Sequence, residues 1–269
     1  MRLDDPAIPN QIMPALQRIG SALLRCVVPI FCRKGSRVTQ EGCGFLVAQG
    51  SNYFLVTAAH VIRQKINENV LCISLGGKRL RGIDGRYLLT PGPGVPIAKD
   101  EIDVAVVMLE GSHLPPYPDV DKYPLEATAL MAKSPRGTGQ FNYHVAGFPE
   151  TKGGFDRSRN EFTYQPYSYT NIEAESVAYK GAKADVAKHI AVTFNQKRGI
   201  GPSGNVQTFP FPYGMSGSPL WLLANGQPII PVVGVVTRWC KPHIVFVATE
   251  IWFALAMLDR LTRVAHTSA

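Results

Sequence analysis

The sequence predicts an all-β protein built as two successive antiparallel barrels, and three observations support that fold class. Short apolar runs recur along most of the chain, each bounded by glycine or proline, the rhythm of strands joined by tight turns. Residues 110–138 carry Pro115, Pro116, Pro118, Pro124 and Pro135 with little apolar period, and so separate one series of runs from another. With 269 residues the chain is near the length at which a single apolar core divides in two.

Taken in order, residues 10–24 place Ile12, Leu16, Ile19 and Leu23 at helical spacing with Pro14 in the first turn, which predicts an N-terminal helix. The pattern becomes strand-like over 24–31 and is turned by Gly35 and Ser36. Further strands are expected at 45–48, 53–57, 70–74, 87–90 and 102–109. Beyond the proline-dense divider they are expected at 143–147, 162–169, 172–179, 189–194, 219–223, 229–237 and 244–248. Ile251, Leu255, Leu258 and Leu261 fall on one face of a closing C-terminal helix. The expected units are residues 1–122, the N-terminal helix and first barrel, and residues 123–269, the second barrel and C-terminal helix.

Composition narrows the function classes. Apolar content of 45% and charged content of 18% describe an ordinary globular chain, without disorder or low complexity. No apolar run approaches membrane-spanning length, and Asp4 and Asp5 open an N-terminus that does not read as a secretory signal. The net charge of +8 is dispersed among small groups such as Arg33, Lys34 and Arg37, or Lys78, Arg79 and Arg81. No aromatic-interleaved basic stripe accompanies them, so neither nucleic acid nor membrane is an expected partner. Cys26, Cys32, Cys43, Cys72 and Cys240 are odd in number and lack metal-ligand spacing, so no metal or cofactor is expected. Cys26 and Cys32, six apart on one extended strand, are too distant to bridge. Reduced thiols in a cytoplasmic setting are the expectation.

Three segments carry the chemistry: Thr57-Ala58-Ala59-His60, Ile102-Asp103-Val104-Ala105-Val106-Val107, and Gly214-Met215-Ser216-Gly217-Ser218-Pro219. A serine hydroxyl is a poor nucleophile at neutral pH. A histidine can take its proton, and an aspartate can orient the histidine and stabilise its charged form. Each residue alone has a plainer reading: a turn serine, a core histidine, or a carboxylate needing a partner at the mouth of an apolar strand. Together, in order, they point to acyl transfer.

At these residues the chain resembles the chymotrypsin-like serine proteases, intracellular and disulfide-free in type. Gly42-Cys43-Gly44-Phe45-Leu46-Val47 resembles the strand before the histidine, Val145-Ala146-Gly147-Phe148-Pro149 the first strand of the second barrel, and Gly234-Val235-Val236-Thr237-Arg238-Trp239 the strand lining the substrate cleft. The resemblance implies two six-stranded antiparallel barrels of trypsin-like form. It implies a serine endopeptidase acting on protein or peptide substrates, with His60 as general base, Asp103 fixing its tautomer and Ser216 as nucleophile. It gives the amides of Gly214 and Ser216 to the oxyanion hole, and Pro210, Thr237, Arg238 and Trp239 to substrate binding. Pro210 stands at the base of the side-chain pocket, and Trp239 narrows its mouth. Arg238 reads as a surface arginine or as an attractor of acidic side chains.

Two positions depart from secreted members. Met215 stands where they carry an aspartate that pairs with a newly cut N-terminus, so no zymogen-type activation is expected. Gly42 and Val61 occupy the places they join by a disulfide. The long stretch between Asp103 and Ser216 predicts an insertion within 150–212, a loop or hairpin bordering the cleft, and activity is expected to be constitutive, or controlled by that insertion or by a regulatory protein partner. Competing readings are a catalytically silent protease-fold binding module, an α/β-hydrolase, whose elbow would need glycine at residue 218, and a cysteine hydrolase using Cys43.

Overall fold

The structure is a computed structural model that describes residues 20, 22–35, 37–63, 70–74, 80–92, 95–96, 99–110, 122–137, 141–156, 161–201, 203, 205–223 and 230–267. It is mostly β, with two eight-stranded sheets in sequence and a separate two-stranded one among the described residues. The first holds β1 (Val27–Lys34), β2 (Arg37–Gln49), β3 (Asn52–Ala58), β4 (Val70–Ser74), β5 (Leu80–Gly82), β6 (Tyr87–Leu89) and β7 (Val104–Met108), in the order β5-β4-β1-β2-β3-β7-β6. The short β8 (Leu125–Glu126) joins β2 in parallel, beyond residue 122.

Alternation along β2, β3 and β7 sends successive side chains to opposite faces. Leu46, Leu55, Ala105 and Val107 pack with Val28, Ile30 and Leu71 on one face. Phe45, Val47, Phe54, Val56, Val104 and Val106 fill the other, where they meet Trp221, Ile251, Ala254, Leu258 and Leu261. Both faces are covered, which is why these strands read as continuous apolar runs rather than alternating ones. The C-terminal helix α3 (Trp252–Thr267) thus lies on the first sheet, although it follows the second in sequence; Asp259 accepts a hydrogen bond from Gln49 at 3.0 Å.

The second sheet runs β13-β18-β17-β16-β9-β12-β14-β15. Its strands are β9 (Asn142–Gly147), β12 (Tyr167–Ile172), β13 (His189–Thr193), β14 (Gly199–Ile200), β15 (Val206–Gln207), β16 (Pro219–Leu223), β17 (Val232–Cys240) and β18 (Val245–Glu250). An antiparallel bridge between Glu173 and Val192, with Ala174 N donating to Ala191 O at 2.8 Å, ties the end of β12 to β13 across the sheet's interior. That interior is aromatic: Tyr169 and Phe246 each pack edge-on or tilted against their neighbours, with Phe194 4.9 Å from Tyr169 and 4.8 Å from Phe246.

Several expected strands have other bounds, as β1 and β2 do, and two expected runs are not single strands. The run 162–169 is broken at Pro166 into β11 (Glu161–Tyr164) and β12, because proline ends the ladder. The run 172–179 is a strand only to Ile172; Ser176–Gly181 forms helix α2, which buries Tyr179 and leaves Val177 exposed. The Tyr179 hydroxyl donates to Glu173 at 2.6 Å, an anchor that strand geometry would not supply. The insertion contributes a hairpin, β10 (Gly153–Asp156) with β11, which reaches back to the first sheet: Phe162 packs on Phe31 and Ser74 donates to the Tyr164 hydroxyl at 2.9 Å. The expected N-terminal helix lies largely outside the described residues, although Gly20, Ala22 and Leu23 are helical. Among the described residues no helix is long and apolar enough to cross a membrane.

Candidate active site

Strand register brings the histidine and the aspartate together. In β3 and β7, Thr57 is paired with Ala105 and Ala58 with Val104. His60 lies two residues beyond Ala58, in helix α1 (Ala59–Arg63), and Asp103 lies one residue before Val104. Ala59 N donates to Asp103 O at 3.0 Å and His60 N to Asp103 Oδ1 at 2.8 Å. The other carboxylate oxygen lies 2.6 Å from His60 Nδ1. An ionised carboxylate only accepts, so Nδ1 carries the proton and Nε2 is left with a lone pair. Asp103 sits in the left-handed region at φ 53°, a conformation that aspartate tolerates better than most residues.

The serine lies in a tight loop whose backbone is largely committed. Met215 N donates to Pro212 O at 3.2 Å, Ser218 N to Met215 O at 3.1 Å, and Gly217 N to Val236 O at 2.6 Å. Cys43 N in β2 donates to Ser216 O at 2.7 Å, which fixes the loop to the first sheet. Gly217 is required there: at φ +91° its Cβ would stand 1.9 Å from Cys43 O. Gly214 also has positive φ, +82°. Among the described residues the amides of Gly214 and Ser216 have no acceptor, in contrast to their neighbours. The Ser216 hydroxyl donates to Thr237 O at 3.2 Å and not to His60.

A cleft of about 850 Å³ is lined by His60, Asp103, Ser216, Thr237, Arg238 and Trp239 together. Pro212 lines it, whereas Pro210 does not. Thr237 is buried. Arg238 is not the free surface arginine that the sequence suggested. Its guanidinium donates to Ala182 O at 3.3 Å and Lys183 O at 3.2 Å, capping the end of α2. Burial pushes its pKa down, while the charge of Asp103 acts in the opposite direction. Trp239 reaches across to Phe211 at 6.1 Å and Tyr213 at 6.0 Å between ring centroids.

Met215 is buried in the aromatic core of the second sheet, where an unpaired carboxylate would be costly. Gly42 and Val61 face each other so closely that a Cβ at 42 would lie 2.6 Å from Val61 Cγ2. All five cysteines are unpaired. Burial pushes the Cys43 thiol up to about 11, and its Sγ lies 3.1 Å from Gly214 O; it is a thiol at neutral pH, which removes the cysteine-hydrolase reading.

Sequence reasoning missed Gln40. It is buried, and its amide donates to Phe148 O and, at 3.4 Å, to Gly214 O, so it steadies the turn before the serine. No sequence signal marks it, because a glutamine in a strand has no pattern of its own. His189 is buried with Nε2 2.7 Å from Glu101 O. His113 lies outside the described residues.

The family model for the trypsin-like peptidase domain matches residues 42–235. No curated protein matches the chain. Among solved structures the chain is similar to neuropsin, a serine protease expressed in the limbic system of mouse brain. The TM-score is 0.57 at 15% identity, over 88% of this chain and 94% of that one. At that identity the likeness speaks for the fold alone.

Proposed function

The chain belongs to the trypsin-like peptidase family, and from that premise we propose that it is a serine endopeptidase with His60, Asp103 and Ser216 as its triad. One observation carries the reading: the His60–Asp103 pair, 2.6 Å apart, lines the same cleft as a serine whose adjoining amides are unused.

In the proposed reaction the Ser216 hydroxyl turns from Thr237 O towards His60 Nε2. Its oxygen attacks the scissile carbonyl as the proton passes to Nε2, giving a tetrahedral intermediate. The negative oxygen is received by the amides of Gly214 and Ser216; one such donor is typically worth about 10² to 10³ in rate. His60 then protonates the leaving amine, the acyl-enzyme forms, and water activated by His60 releases the acid and regenerates the serine. Asp103 holds the imidazole in its Nδ1–H tautomer throughout. No cofactor takes part. The backbone of Thr237–Trp239 pairs with the extended substrate, and Trp239, braced by Phe211 and Tyr213, restricts the pocket to small side chains before the scissile bond. With Met215 in place of an acid, no zymogen-type ion pair forms. Activity is constitutive, or governed by the 150–212 insertion or a regulatory protein partner, in a cytoplasmic setting.

The hydrogen bond from Ser216 to Thr237 O favours one rival, a silent protease-fold binding module. An unbiased peptide-library digest separates them. Wild type is expected to cut after small residues and Ser216→Ala to leave the library intact. An uncut library with wild type supports the binding module, and cleavage after arginine, lysine or large aromatics contradicts the pocket assigned to Trp239.

A further inference from the structure

Asp100 stands three residues before Asp103, and its carboxylate organises the turn that presents it. Oδ1 accepts from Ile102 N at 3.1 Å and from Asp103 N at 2.9 Å. Oδ2 accepts from the Thr90 hydroxyl at 3.1 Å and from Arg63 at 2.5 Å. Arg63 closes the same short helix that holds His60, and it also donates to Thr90 O. Both side chains are largely shielded: Asp100 is 3% exposed and Arg63 12%. Removing one partner from such a pair leaves an uncompensated buried charge. Thr90 completes the connection, since its Oγ1 accepts from Val104 N at 2.9 Å. The segment bearing the base and the segment bearing its aspartate are therefore joined twice, once by the 2.6 Å catalytic contact and once by this ion pair behind it.

We propose that Arg63 and Asp100 are positioning residues of the active site: they hold the left-handed Asp103 turn in register with the His60 helix and balance the charge behind the imidazole. The inference rests on the serine-protease reading for its catalytic consequence, but not for its geometry. Neither residue touches the substrate side of the cleft. Two backbone amides and a hydroxyl still donate to the Asp100 carboxylate when Arg63 is removed. Four further ionisable groups adjoin this turn. Glu101 is paired with Lys188 at 2.7 Å, His189 contacts Glu101 O, and Arg238 interacts with the charge of Asp103. Lys34, Arg37, Glu41 and Glu150 line the same cleft.

The test follows the pH titration of the His60 ring by NMR in the full chain, assigned with a His60→Gln variant. Asp100→Asn keeps an oxygen for both amides yet leaves Arg63 uncompensated, so the His60 midpoint is expected to fall by about one pH unit. Arg63→Met leaves the carboxylate uncompensated, so the midpoint is expected to rise by about as much. The double variant restores neutrality and is expected to return the midpoint close to wild type. Because the tether is gone in all three, kcat is expected to stay about tenfold low with KM unchanged. Shifts of the same sign in both single variants, or midpoints and kcat matching wild type, would overturn the proposal. If wild type proved inactive towards every substrate, the serine-protease reading would fail, while the opposite-signed ring titrations would still decide the role of the pair.

Discussion

Asp103→Asn is expected to lower kcat by about 10⁴ with little change in KM. Asp103 Oδ1 accepts from His60 N and Oδ2 receives the ring Nδ1–H. An asparagine oxygen can keep the first bond, but its amide nitrogen then faces Nδ1 as a donor. The ring must answer with an acceptor there, which moves its proton to Nε2 and leaves no base for Ser216. The fold should be untouched, since the substitution is nearly isosteric and the bonds from Asp100 to this turn remain. Steady-state kinetics on a peptide identified by library digestion gives the measurement. A variant within tenfold of wild type contradicts the role assigned to Asp103.

A loss of about 3 kcal/mol of folding stability is expected between pH 6.5 and pH 4 from His144 alone. This histidine is fully buried in β9 with its Nδ1 2.8 Å from the Thr170 hydroxyl and its ring 5.9 Å from that of Trp221. Among the described residues its Nε2 has no hydrogen-bond partner. Burial lowers its pKa from 6.5 to about 4. The folded state therefore resists protonation while the unfolded chain accepts a proton below 6.5. In that window the unfolded state binds more protons, so stability rises with pH and is lost as pH falls. His189, also lowered chiefly by burial, acts in the same direction. Urea unfolding at pH 7.5 and 4.5 should show a steep difference in wild type and a smaller one in His144→Gln, which keeps a polar group for Thr170 but does not titrate. An equal difference in both proteins would show that His144 is not the source.

The sequence made the strands of both units legible wherever apolar residues were continuous. Residues 70–74 and 219–223 coincide with β4 and β16 because polar, glycine- or proline-containing sequence bounds them on both sides. The 172–179 segment misled because Ile172, Ala174 and Val177 mimic a strand, while the tertiary bond from Tyr179 to Glu173 favours a helix there. Burial of the C-terminal helix on the first sheet was invisible, since periodicity gives a helix its apolar face but not the surface it meets. At the site, the residues with distinctive motifs stood out, and the structure places His60, Asp103 and Ser216 around one cleft. The supporting residues did not stand out. Gln40, Arg63 and Thr90 act through backbone carbonyls or buried ion pairs that only the folded chain brings together. Asp100 left a trace, an acidic residue three positions before another at the mouth of a strand, which suits a side chain that caps the turn between them.

The decisive measurement is mass-spectrometric mapping of the adduct formed when the full chain meets a fluorophosphonate. Phosphorylation-like capture of a single hydroxyl, at Ser216, with none in Ser216→Ala and far slower capture in His60→Gln, is the expected result. An adduct elsewhere, or one that persists without Ser216, would contradict the assignment of that hydroxyl as the nucleophile.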